Sequence, residues 1–271
     1  NNKGLITMTS TAPILAPVLR EDKEGIATIT LNRPDAYNAL SLALMDALLA
    51  ELKQLESAPD ISVVIIKGAG RGFCAGHDLK EMTSSEDPDL HDRTFQTCSA
   101  VMQAITALPQ PVIAQVHGIA TAAGCQLVAS CDLAVAAENS RFATPGVNIG
   151  LFCSTPMVAL SRAVARKHAM EMLLLGEMVE AQRAYEIGLI NRVVSAESLE
   201  QCVMEMAGQL ASKSPLTLKI GKQAFYHQVD QGLADAYSHC SSVMSCNLNT
   251  EDAQEGIDAF LSKRPAVWKG R

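Results

Sequence analysis

The stretch Ala120–Asp132, "ATAAGCQLVASCD", places Ala122, Ala123 and Gly124 where an apolar strand gives way to an apolar helix. Small side chains at such a junction let the backbone come very close to a ligand, or let the helix pack tightly. The one long polar side chain in the stretch, Gln126, is an amide and cannot carry a proton in acid/base work. A little downstream, "FATPGVNIG" (Phe142–Gly150) offers no ionisable side chain after its Arg141 neighbour.

A second turn of the same kind lies upstream in "IIKGAGRGFCAGHDLKEM" (Ile65–Met82), where an apolar strand runs into glycines. A dinucleotide-binding reading requires G-x-G-x-x-G between strand and helix, but after Gly68 and Gly70 the third position is Phe73, and a further turn intervenes before any helix. The turn Ala75–Asp78 leads directly into "LKEM", so its amides sit at a helix start, and Asp78 reads as the N-cap. Two strand-to-helix turns, each presenting an amide, are what stabilising one developing oxyanion requires.

Outward from these turns the pattern repeats. "GIATITLNRP" alternates as a strand, "SLALMDALLAELKQLES" has helical spacing behind Ser41 as N-cap, and "ISVVIIKGAG" and "QPVIAQVHGIA" are β-branched runs closed by glycine. After about Ser195 the strands stop, and four successive segments read as helices. The expected architecture is an α/β core over residues 1–195 followed by a helical region over 196–271.

A net charge of −7 argues against a nucleic-acid footprint, and no apolar run approaches the roughly 18–20 residues of a membrane span. Eight scattered cysteines (Cys74, Cys98, Cys125, Cys131, Cys153, Cys202, Cys240, Cys246) form no CxxC pair and no metal spacing. They read as reduced thiols, which points to a cytoplasmic compartment, with no metal or cofactor expected. The N-terminus lacks the order of a signal peptide, and "NNKGLIT" ahead of Met8 reads in part as a tag remnant.

Five segments, "ITLNRPDAYNALS", "GFCAGHDLKEM", Pro111–Gly150, Ala159–Val194 and "EGIDAFLSKRPAVW", resemble in order the enoyl-CoA hydratase/isomerase (crotonase) family, over roughly Glu24 to Trp268. The resemblance implies a spiral of repeated ββα units, a C-terminal helical trimerisation region giving a homotrimer or a dimer of trimers, and lyase chemistry on acyl-CoA thioesters as in fatty acid metabolism. It implies that the backbone amides of His77 and Ala123 hold the thioester carbonyl. The coenzyme A is expected near Ala75, Asp78 and Leu79, with Phe260 and Lys263 of the last helix closing over it from the same or a neighbouring subunit.

Family hydratases add water with two glutamates, and the positions matching them hold Gln126 and Gly146. A positioned acid or base typically supplies about 10²–10⁴ in rate, so efficient hydration is not expected. An isomerase variant uses an aspartate where this chain has Ser154. A malonyl-type acyl-CoA decarboxylase, which needs no basic side chain, and a non-catalytic acyl-CoA-binding or interaction protein are the alternatives. The His77 ring is a candidate base only if something orients it. Cys125 and Cys153 read as core packing, Asp132 and Glu138 as structural or solvated.

Overall fold

The computed structural model describes residues 16–271; Met8 and the segment before it lie outside the described residues. The chain begins with an antiparallel hairpin, β1 (Val18–Lys23) and β2 (Ile26–Leu31), turned by Glu24 and Gly25 at φ 51° and 78°. Both signs are those of a type I′ turn. The sequence pattern does not reveal β1, because "VLREDK" is a mostly exposed edge strand without an apolar alternation.

Helix α1 (Leu42–Glu56) follows, with the Ser41 hydroxyl accepting from Leu44 N at 3.2 Å as its cap. Strand β3 (Val63–Gly68) leads to α2 (Leu79–Ser84) and α3 (Leu90–Ala107). Then come β4 (Val112–Val116), β5 (Ile119–Thr121), α4 (Ala123–Ser130), β6 (Leu133–Ala137) and β7 (Arg141–Ala143). The order continues with α5 (Ser154–Ala163), α6 (Arg166–Leu175), β8 (Val179–Glu180), α7 (Ala181–Glu186) and β9 (Arg192–Val194). Four helices close the chain: α8 (Leu199–Ala211), α9 (Pro215–Gln228), α10 (Leu233–Leu248) and α11 (Glu251–Leu261).

The strands form one sheet in the order β1-β2-β3-β4-β6-β9, parallel from β2 onward, and a small sheet β5-β7-β8. Successive turns of the chain give one strand to each sheet and then a helix: β4, β5, α4 and β6, β7, α5. The two earlier turns repeat this with single bridges in place of short strands, Leu40 to His77 and Cys74 to Ala120. This stack is the ββα spiral, and it brings the residues after β3 and after β4 side by side.

β3 is buried on both faces, which is why "VVII" is a continuous apolar run. Val64 and Ile66 pack with α1 and α3 in the main core, while Val63 and Ile65 pack with Leu199, Val203, Met206 and Ala207 of α8 on the other face. α9 is tied to the spiral by a buried cation. Lys222 Nζ donates to the Ile105 and Gln110 carbonyls, both at 2.9 Å, and pairs with Asp132 Oδ2 at 2.7 Å. Tyr226 OH donates to the other Asp132 oxygen at 2.9 Å. Asp132 is therefore structural, and Glu138 is exposed. Among the described residues no helix is long and apolar enough to cross a membrane.

Candidate active site

The two small-residue turns meet. Phe73 N and Cys74 N both donate to Ile119 O, Thr121 N donates to Cys74 O, and the Thr121 hydroxyl donates to Ala75 O at 3.0 Å. A Cβ on Gly124 would fall 2.1 Å from Cys74 O, and one on Gly76 would fall 2.8 Å from the Ala122 Cβ. The small residues of "TAAGC" thus serve first to let one turn lie against the other. Ala122, at φ 50° and ψ −119°, holds a conformation that non-glycine residues rarely adopt.

Around His77 the neighbouring groups are spoken for. Ala75 N donates to Tyr37 O, Gly76 O accepts from Leu40 N, and Asp78 N donates to Leu40 O. The His77 amide itself donates to no acceptor among the described residues, and neither does the Ala123 amide, which starts α4. The would-be Cβ of Gly76 is 3.3 Å from Ala123 N, so the second amide lies directly against the first turn.

Beside the amides is a cleft of about 470 Å³ lined by Ala75, His77, Leu79, Phe95, Ala122 and the segment Pro145–Pro156 except Val147 and Gly150. None of its lining residues is Asp, Glu, Lys or Arg. The His77 ring meets Phe95 edge-on at 5.3 Å, and its Nε2 is buried without a hydrogen-bond partner. Burial lowers this imidazole to about 4, so it is neutral at pH 7. Among the described residues no carboxylate orients it.

Gln126 is only 4% exposed and lies off the cleft lining; its Oε1 faces the Cys98 thiol at 3.8 Å. Gly146 does line the cleft, in a tight turn (Pro145–Ile149), and any Cβ there would lie 2.6 Å from Leu151 O and 3.0 Å from Cys153 Sγ. Ser154 is also on the lining, its hydroxyl turned to Phe152 O at 3.4 Å. Cys125 is fully buried, and burial pushes its thiol up to about 12; burial also raises Cys153. Neither is an activated nucleophile.

Asp78 caps α2 through Lys80 N and Glu81 N and pairs with Arg33 at 2.8 Å. Burial pushes this carboxyl up, and the bonds from Arg33 and the two amides outweigh it, leaving it below the usual range. Phe260 is 82% exposed, Lys263 is exposed, and neither lines the cleft of its own chain, because α11 packs on α9 and α10. Of the wall residues, Ile149 falls within "FATPGVNIG" and Leu151 and Phe152 follow it directly, whereas Phe95 has no motif to announce it and reaches the cleft from α3.

A family model described as enoyl-CoA hydratase/isomerase matches residues 21–271. The chain belongs to this family. It is 50% identical over 246 residues to the mitochondrial enoyl-CoA hydratase domain-containing protein 3 of Rattus norvegicus, covering 91% of this chain and 82% of that one. It is 36% identical over 250 residues to the 2,3-dehydroadipyl-CoA hydratase of Escherichia coli K12, covering 92% and 97%. The crystal structure of human enoyl-CoA hydratase domain-containing protein 3 superposes with a TM-score of 0.90 at 50% identity, covering 93% and 100%. An enoyl-CoA hydratase from Mycobacterium smegmatis superposes with a TM-score of 0.91 at 47% identity, covering 93% and 98%.

These relatives correct one expectation. Free thiols point to a cytoplasmic compartment, yet the enoyl-CoA hydratase domain-containing protein 3 relatives from rat, mouse, human and zebrafish are named mitochondrial. All eight cysteines are free. Free thiols do not separate one reducing compartment from another.

Proposed function

We propose that this protein binds a coenzyme A thioester with the carbonyl oxygen between the His77 and Ala123 amides, and that it stabilises the thioester enolate there. The observation that carries this reading is the pair of backbone donors without protein acceptors, held together at the mouth of one apolar cleft. Such donors need no reorganisation when charge develops on the oxygen.

The cleft offers no ionised side chain, so the chemistry that fits is one that needs no side-chain base. Loss of CO₂ from a malonyl-type thioester meets that condition: the Cα–carboxyl bond breaks, its electron pair enters the enolate, and a solvent proton completes the product. Hydration, which must take a proton from water, is expected to be slow, with Gln126 and Gly146 in place of carboxylates.

The exposed apolar side chains of the last helices, among them Phe225, Leu233, Tyr237, Met244 and Phe260, support assembly as a trimer or a dimer of trimers. Phe260 and Lys263 of a neighbouring copy would then close over the coenzyme.

Calorimetry with an acyl-CoA and with its thioether analogue tests the oxyanion reading, and equal affinities remove it. Incubation with crotonoyl-CoA and with methylmalonyl-CoA separates the chemistries. Binding without turnover of either leaves a non-catalytic thioester-binding protein.

A further inference from the structure

We infer that His227 and His239 form a binding site for a divalent transition-metal cation of the zinc class, which clips α9 to α10. The two rings lie with their centroids 4.2 Å apart and their planes tilted by 54°. His227 is in the last turn of α9 and His239 in the second turn of α10, so no sequence motif announces the pair. Imidazole nitrogen suits zinc, copper and nickel ions. Rings this close need only small turns about their side-chain torsions to aim one nitrogen each at a shared ion, at the about 2.0–2.1 Å of a Zn–N bond.

Amide oxygen and water complete the shell. Gln231, in the turn between the two helices, donates from Nε2 to His227 Nε2 at 2.9 Å, while its Oε1 is buried without a hydrogen-bond partner. A half-turn of that amide carries the unpaired oxygen toward an ion on His227 and removes an orphaned acceptor. Against the rings is a hollow of about 320 Å³ lined by Ile220, Gln223, Ala224, His227, His239 and Val243, which leaves room for an ion and its waters. Among the described residues no third His, Cys, Asp or Glu joins the pair. Two nitrogens with neutral oxygens favour zinc, copper or nickel over calcium and magnesium, whose shells are built from oxygen and carboxylate.

The site is separate from the cleft and from the apolar face of α10. Leu233, Tyr237, Met244 and Leu248 are exposed along one stripe of that helix. His239 stands about 200° round the helix from Tyr237 and turns to α9 instead. Assembly through the stripe therefore leaves the rings reachable. Because Lys222 already anchors α9 to the spiral, an ion on His227 and His239 extends that anchor to α10.

The test titrates zinc chloride and nickel chloride into the full chain, in excess magnesium chloride, by calorimetry at pH 7.5. One ion should bind per chain, and His227→Ala and His239→Ala should each weaken it at least about ten-fold. His91→Ala, at an exposed histidine outside the pair, should leave it unchanged. Binding should vanish near pH 5, since a ligating imidazole must be neutral. The unmodified protein gives a second reading that holds even where a variant melts early: zinc should protect His227 and His239, and not His91, from diethyl pyrocarbonate. Either of two results overturns the site. One is zinc that binds the double His227→Ala, His239→Ala variant as tightly as the parent, which assigns the ion to thiols; the other is equal modification of the two histidines with and without zinc.

Discussion

Gly76 and Ala122 are locked against each other: a Cβ on Gly76 would lie 2.8 Å from the Cβ of Ala122 and 3.0 Å from Thr121 O. The two amides of the site are borne by the residues that follow, His77 and Ala123, so this contact sets their separation. Gly76 also sits at φ 97°, where a side chain is strained whatever the space. Gly76→Ala should part the turns, remove the preference for thioester over thioether, and lower stability by about 1–3 kcal/mol. Calorimetry and urea denaturation check the two effects, and an unchanged preference in a folded variant would refute the coupling.

The opposite change is expected on the other side of the contact. Ala122 bears a positive φ of 50° that glycine adopts freely, a strain of about 1–3 kcal/mol, while glycine loses about 0.5–1 kcal/mol to backbone entropy. Ala122→Gly should raise stability by up to about 2 kcal/mol. A lower denaturation midpoint at an unchanged slope would show that the Ala122 methyl is needed for packing.

Much of the spiral was legible because its strands and helices keep their own periods: the cap at Ser41, the doubly buried β3, and the change from strands to helices after Val194 all leave local patterns. The two turns that meet at Gly76 and Ala122 were legible as small residues at strand-to-helix junctions. What was not legible depends on contacts distant in sequence. Gly146 reads as a lost carboxylate, and only the position of Leu151 O shows that its Cβ has no room. Asp78 reads as a cap, which it is, but its partner Arg33 lies 45 residues away. Phe260 and Lys263, expected over the coenzyme, stand away from the cleft of their own chain, because a helix packed on other helices cannot also reach the spiral's mouth.

His77 gives a pH signature. Its folded-state value, about 4, lies below the ordinary 6.5, so the folded protein resists protonation that the unfolded chain accepts. Its contribution is full above pH 6.5 and is lost as pH falls from there through about 4, at up to about 1.4 kcal/mol per pH unit. His77→Gln keeps the backbone amide and should flatten the stability profile over that window. Identical profiles for the two proteins would show that the ring is not buried as a neutral group.

Lys222 anchors α9 through two carbonyls and Asp132. Burial lowers its ammonium while Asp132 raises it, and the net direction is downward. Truncation leaves Asp132 without its cation, so Lys222→Ala should lower stability by about 3–5 kcal/mol. Lys222→Arg, too large for the same three oxygens, should not rescue it. A loss under about 1 kcal/mol in chemical denaturation would show that the anchor is replaceable by solvent.

Hydration of crotonoyl-CoA should be slow, and the deficit should lie in proton transfer rather than in binding. Gln126→Glu restores one carboxylate within α4, but that side chain lies off the cleft lining, so the variant should raise the rate constant by far less than the about 10²–10⁴ of a positioned base, with coenzyme A affinity little changed. Gly146→Glu should not add to it. Position 146 does not suffer from a positive φ, but its Cβ meets Leu151 O at 2.6 Å and Cys153 Sγ at 3.0 Å, so the second carboxylate displaces the Leu151–Cys153 wall before it can reach a water. The double variant should therefore bind thioester more weakly than Gln126→Glu alone, a difference that steady-state and binding measurements resolve together. The unmodified protein gives the stricter test. A kcat in the ordinary enzyme range of about 1–10³ s⁻¹ would mean that a base acts in this cleft. His77, the imidazole beside the amides, would then be the first residue to replace, and the assignment of Gln126 and Gly146 as the missing proton carriers would be wrong.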